Sequence, residues 1–260
     1  MHLSTLFTLS LLSIVDAHYL FGRLIFENRW TDTWEYIREI TPYKTTDAAA
    51  LVYPNTDPDS NDVRCGRNAS TAWSKAIKTA VIKAGDTVGF GAGEPYIAGW
   101  DKGRMYHPGF GSAWLSRAPT DDLIAYTGDG DWFKILQIVN RTEQSVNFTK
   151  EGLKPDPVKM MWGTYLADSW NFTIPAKTPA GKYLLRFEHI FANRQDSQFY
   201  VNCAHIEIVN PSQIVGTPGP LVKIPGVYVR GQPDVYFSTY DYALDPTMTF
   251  VPPKPVVWTG

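Results

Sequence analysis

The stretch SQFYVNCAHIEIV, residues 197–209, reads as a β-strand: it is dense in β-branched and aromatic residues and has no proline or glycine to interrupt a ladder. Alternate residues of a strand share a face, so Gln198 and Tyr200 project together while Cys203 projects the other way. Working outward, AGDTVGFGAG (84–93), DWFKILQIV (131–139), SWNFTIP (169–175) and GKYLLRFEHIF (181–191) have the same character, and clusters of Gly, Pro, Asn and Asp separate them. Long helical periodicity is absent. STAWSKAIKTAVIKAG (70–85) is the best helix candidate, although its Val and Thr content and closing glycine fit a strand pair equally. Many short strands with turns between them predict an all-β, antiparallel sandwich with long loops. The tail from Pro218 to Gly260 is rich in Pro, Gly and aromatics. Val222, Ile224, Val227, Tyr228 and Trp258 give it apolar anchors, so it is expected to wrap the sandwich as an ordered loop.

The chain has 260 residues, 44% of them hydrophobic, and a formal net charge of −2, which fits one ordinary domain or at most two small ones. It has no basic excess, no Lys/Arg run and no glycine-rich phosphate loop, which argues against nucleic acid and nucleotides as partners. Nine Trp and fourteen Tyr supply core, and they also suit a surface that stacks on flat ligands such as sugar rings. Residues 1–17, MHLSTLFTLSLLSIVDA, read as a secretory signal peptide. The apolar run from Leu6 to Val15 is too short to span a bilayer, and Val15 and Ala17 form a small-residue cleavage pattern. No later segment is apolar enough for a membrane span, and the polar end KPVVWTG is no lipid-anchor signal. The expected product is one domain, residues 18–260, secreted to the extracellular space.

In a secreted chain the two cysteines, Cys65 and Cys203, are most simply a disulfide closing a long loop. Four sequons, at Asn68, Asn140, Asn147 and Asn171, become candidate glycan sites in the same context.

Cleavage after Ala17 would make His18 the first residue. Its α-amine, with an ordinary pKa of about 7.7–8.0, loses a proton far more easily than a lysine. Amine and ring nitrogen of one residue can then close a chelate. With a second histidine they form a three-nitrogen set with open positions, which suits the tetragonal preference of Cu(II). His107, His189 and His205 are the available partners. His107 lies in a Gly/Pro-bounded loop and the other two in strands; position alone does not choose among them.

Several motifs taken together, in order and spacing, resemble the fungal lytic polysaccharide monooxygenases of auxiliary activity family 9, formerly glycoside hydrolase family 61. They are AHYLFGRLIF (17–26), HPGFGSAWLSRAP (107–119), GDGDWFKI (128–135), WNFTIPAKTPAGKYLLRFEHI (170–190) and QFYVNCAHIEI (198–208). NDVRCG and YVNC are similar to the two halves of that family's disulfide, and PPKPVVW to its C-terminal signature. The resemblance implies an immunoglobulin-like β-sandwich with a flat copper-bearing face and one copper ion per chain. His18, by amine and ring, and His107 match its copper-binding histidines, Tyr200 its axial tyrosine, and Gln198 the glutamine that hydrogen-bonds the oxygen species. An external electron donor, with oxygen or hydrogen peroxide as co-substrate, is implied as well.

Two departures stand out. Strand alignment puts Asn193 where the family has a histidine behind the metal, with His189 as the alternative, since eight residues separate it from Gln198. The shortened-loop reading places Asn193 in the pocket, where it could donate a hydrogen bond but exchange no proton near neutral pH. Trp114 stands where the family usually has tyrosine. Tyr240 and Tyr242, with Tyr19 beside the metal, are candidates to stack on a glucan chain. The expected activity is oxidative cleavage of β-1,4-glucan, most simply cellulose, at C1 and/or C4 by a monomer. The alternative is a secreted copper- or carbohydrate-binding protein of the same fold with little oxidative activity.

Overall fold

A computed structural model describes residues 18–93, 103–154, 156–212, 214–244 and 250–260. The proposed signal peptide, residues 1–17, lies outside the described residues. Two sheets form a sandwich. The smaller has four strands in the order β2-β1-β4-β7: β1 (Arg23–Phe26), β2 (Arg29–Trp30), β4 (Thr87–Gly91) and β7 (Ser169–Thr173). The larger has five in the order β3-β9-β8-β5-β6: β3 (Ala80–Lys83), β5 (Phe110–Arg117), β6 (Phe133–Ile138), β8 (Gly181–Phe191) and β9 (Gln198–Val209). Every pairing is antiparallel except that of β3 with β9. Among the described residues two short α-helices accompany them, α1 (Asp62–Cys65) and α2 (Thr239–Leu244). No helix among the described residues is long and apolar enough to cross a membrane.

Residues 70–85 are neither a helix nor a strand pair. They run through turns into the single strand β3, where Ala80 and Ile82 are buried and Val81 and Lys83 exposed, a period of two.

The hairpin β8–β9 is the spine of the molecule. Its register pairs Arg186 with Cys203, His189 with Tyr200, and Phe191 with Gln198. One face looks into the sandwich, where Phe187 stacks on Phe90 of β4 at 5.3 Å and meets Phe21 edge-on at 4.8 Å. The other face is covered by α1 and the C-terminal tail. There Cys203 bonds to Cys65, both fully buried, across a separation of 138 residues. Gly66 follows with φ +97°; a Cβ in its place would lie 2.5 Å from Ile40 Cγ2 and 2.9 Å from the Val201 carbonyl, so only glycine lets α1 approach β9 this closely.

Burial on that outer face extends to charges. Arg186 pairs with Glu188, both out of water, and also donates to the Val63 and Arg64 carbonyls of α1. Glu188 accepts further bonds from Ser112 at 3.0 Å and Tyr228 at 2.7 Å, so three donors converge on the carboxylate and make its burial tolerable. Trp114 sits in this network, fully buried, its indole N–H donated to Ser112 Oγ at 2.7 Å. Its role is packing on the outer face. The tail closes the same layer: Ile224 and Tyr228 are buried, and Lys134 donates to Pro253 O while Trp258 N–H donates to Lys134 O.

Candidate metal centre

At one end of the sandwich the start of the domain, the loop before β5 and the hairpin converge. They bring His18, His107 and Tyr200 together, with ring centroids 5.8 Å apart for His18–His107, 6.0 Å for His107–Tyr200 and 6.4 Å for His18–Tyr200. The His107 ring lies flat on Phe191, 4.4 Å away. Its Nε2 is buried and has no hydrogen-bond partner in the protein. A buried imidazole nitrogen without a partner is unfavourable unless something outside the chain takes it. Burial, reinforced by His18 and Lys159, lowers the His107 pKa to about 4, so the ring is neutral and able to donate an electron pair through the physiological range. These features fit a metal ion that prefers imidazole. Among the described residues no group of three or more His, Cys, Asp or Glu gathers around such a position. A third nitrogen would therefore come from elsewhere, and the His18 α-amine is the group that cleavage after Ala17 would place there.

Tyr200 lies behind the histidines, buried, with its hydroxyl donated to Gln198 Oε1 at 2.7 Å. Burial raises its pKa well above the ordinary phenol value. Tyr19 stacks on it face to face, centroids 4.0 Å apart and rings 15° from parallel. Tyr19 is only 2% exposed, so it does not present its ring to a polysaccharide; its expected substrate role is corrected. The cause is local: the chain turns inward directly after His18, and the second side chain becomes core.

The expected place of Asn193 is corrected as well. Asn193 lies past the last β8–β9 pair, exposed in the turn, where its Oδ1 accepts the Gln195 N–H at 3.1 Å and its own N–H donates to Ser197 Oγ at 3.0 Å. The residue facing Tyr200 across the ladder is His189. It is fully buried, with Nδ1 2.5 Å from the Tyr19 hydroxyl and Nε2 3.0 Å from Thr164 Oγ1. Thr164 donates its own proton to Gly109 O, so it accepts from Nε2–H and leaves Nδ1 to accept from Tyr19. Asn193→Ala is expected to leave metal affinity and turnover unchanged, whereas His189→Gln, which disturbs the Tyr19–His189–Thr164 chain behind Tyr200, should lower turnover by about tenfold, the scale of one lost buried hydrogen bond. Equal turnover in the two variants would remove His189 from the site.

His205, the third candidate partner, is buried elsewhere and accepts from Arg38 Nε at 2.8 Å. Burial is the first cause that lowers both His189 and His205 to about 3. In the unfolded chain both would titrate near 6.5. Between these values the unfolded chain binds more protons than the folded one, so stability is complete above about pH 6.5 and falls as pH drops toward 3. The urea midpoint of the metal-free protein should therefore drop steadily from pH 7 to pH 4; a flat profile would contradict the neutral, buried assignment of these rings.

Of the other predicted residues, Tyr240 on α2 is 39% exposed and meets Phe191 edge-on at 6.0 Å, which puts it on the His107 side. The Tyr242 side chain lies outside what is described. Asn68, Asn140 and Asn147 are exposed and Asn171 half-buried. A residue that sequence reasoning missed is Tyr53, 45% exposed, whose ring meets His18 edge-on at 5.1 Å. The one signal for it was a lone aromatic in the turn-rich stretch VYPNTDPDS.

The β-sandwich gathers two imidazoles and a phenol at one end of its sheets, beside a buried nitrogen lacking a protein partner, an arrangement that fits a single metal ion. The profile of Auxiliary Activity family 9 (formerly GH61) matches residues 18–248, and the chain belongs to this family. Curated relatives include AA9 family lytic polysaccharide monooxygenase U of Thermothielavioides terrestris, 35% identical over 94% of this chain and 93% of that protein. AA9 family lytic polysaccharide monooxygenase G of Aspergillus tamarii is 38% identical over 99% of this chain and 71% of its own. Among solved structures, Cel61B from Hypocrea jecorina superposes with a TM-score of 0.65 at 16% identity, covering 93% of this chain and all of that one, which establishes the shared immunoglobulin-like sandwich.

Proposed function

We propose that this chain is a secreted, monomeric, copper-dependent polysaccharide monooxygenase that cleaves β-1,4-glucan, cellulose foremost, at C1 and/or C4. Family membership supports the oxidative class. One observation carries the metal assignment: the His18 and His107 rings stand 5.8 Å apart and the buried His107 Nε2 lacks a protein partner. Cleavage after Ala17 is part of the proposal, and the family match supports it by beginning at His18. His18, by ring and freed amine, and His107 would hold the copper, with Tyr200 behind them. Copper, reduced by an external donor, supplies the oxidising chemistry with oxygen or hydrogen peroxide. The protein's own groups position and exclude. Phe191 fixes the His107 ring, Gln198 Oε1 accepts the Tyr200 hydroxyl so that the phenol cannot swing, and Thr164 with Tyr19 holds His189 in one tautomer. Tyr53 on the His18 side and Tyr240 on the His107 side offer exposed rings to a sugar chain.

The binding-only alternative drew its strength from an asparagine behind the metal; with His189 facing Tyr200 that reason lapses. The test is mass spectrometry of soluble products from amorphous cellulose, using copper-loaded protein that starts at His18, with and without ascorbate. Oxidised cello-oligosaccharides should appear only with ascorbate, and Tyr240→Ala should weaken cellulose retention without changing copper affinity. No oxidised product from protein shown to hold one copper would remove cellulose as substrate.

A further inference from the structure

Beside His18 lies a groove of about 590 Å³ whose aromatic wall is Tyr43 and Tyr53. The two rings meet edge-on at 6.3 Å and are 42% and 45% exposed. Tyr53 is shared between this groove and the metal centre, because the same ring meets His18. The wall is held firmly. Arg67, 7% exposed, donates to the carbonyls of Thr41, Ala50, Leu51 and Tyr53 and so clamps both ends of the loop that carries the tyrosines. The polar side of the groove includes Asp57, Asp62 and Asp196.

The residue after that clamp is Asn68, the asparagine of the sequon Asn68-Ala69-Ser70. It lines the same groove, is exposed on a turn with φ +60°, and donates from Nδ2 to Thr41 Oγ1 at 2.7 Å. N-glycosylation replaces one of the two Nδ2 hydrogens, and the bond to Thr41 is kept when the sugar takes the hydrogen that points away from it. The first two sugars of such a glycan are β-1,4-linked N-acetylglucosamines. Their flat apolar faces suit tyrosine rings and their hydroxyls suit carboxylates. Because they are tethered at the groove wall, they face it at an effective concentration in the millimolar range or above.

We propose that the sugars attached at Asn68 seat in this groove against Tyr43 and Tyr53, so that the chain's own glycan covers the surface next to His18 on which a polysaccharide would extend. This rests on the secreted polysaccharide monooxygenase reading above. The test uses copper-loaded protein secreted from a fungal host, with peptide mass mapping to show occupancy of Asn68, and acetylation by N-acetylimidazole to report tyrosine access. Tyr43 and Tyr53 should be labelled at least fivefold more slowly in the glycoform than in Asn68→Gln or in Ser70→Ala, which removes the sequon while keeping Asn68. Tyr240, which does not line the groove, should label equally in all three. An unoccupied Asn68, or equal labelling of Tyr43 and Tyr53 with and without the glycan, overturns the proposal. Cellohexaose should also bind several-fold more tightly once the glycan is lost. Protection of both tyrosines with no cellohexaose binding to any form would support the glycan seat and count against the polysaccharide reading.

Discussion

A chain that retains Ala17 ahead of His18 will bind Cu(II) several hundred times more weakly than one that starts at His18. Two imidazoles are on hand in the folded structure, and no third His, Cys, Asp or Glu joins them among the described residues. With Ala17 attached, the nitrogen of His18 is a peptide nitrogen whose electron pair is delocalised into the carbonyl. With Ala17 removed it is an amine of pKa about 7.7–8.0, able to shed its proton and close a chelate with its own ring. Losing one of three nitrogen donors and that chelate is worth on the order of 3–4 kcal/mol, which is a few hundredfold in affinity. Competitive copper titration of the two forms measures it. Equal affinities would show that the amine is not a ligand and would leave the site as a two-imidazole centre of another kind.

The second large effect concerns stability. Replacing Cys65 and Cys203 together by alanine should lower the free energy of unfolding by about 4–5 kcal/mol, the loop-closure value for so distant a pair. The cross-link spans 138 residues, so most of the domain is constrained in the oxidised unfolded chain and released in the variant. Guanidinium unfolding at pH 7 provides the measurement. A loss below about 1 kcal/mol would mean that the unfolded chain is compact without the bond, so that the loop entropy is already spent.

How much of this was legible in the residues depended on whether the deciding contact is local. Residues 181–209 declare a hairpin because period two and the lack of breakers are local properties, and parity alone separates the Tyr200 face from the Cys203 face. The 70–85 segment was ambiguous because β3 is defined by a parallel partner, β9, far away in sequence. Asn193 and His189 share parity, so only the ladder register could decide between them, and it pairs His189 with Tyr200. Tyr19 looked like a surface aromatic beside a metal ligand; its stacking on Tyr200 is a tertiary fact with no pattern in the neighbouring residues. Tyr53 is brought to His18 by a loop pinned on Arg67, and nothing in the loop's composition announces that anchor.

The tail also neutralises a burden that the sheets cannot carry alone. Glu188 receives its phenol donor from Tyr228, and Lys134 gives a hydrogen bond to the Pro253 carbonyl, so two ionisable groups on the outer face depend on segments that follow every strand of both sheets in the chain. Without those segments the two groups would face water or stand short of partners. The last stretch of chain is therefore a polar seam as well as an apolar cover.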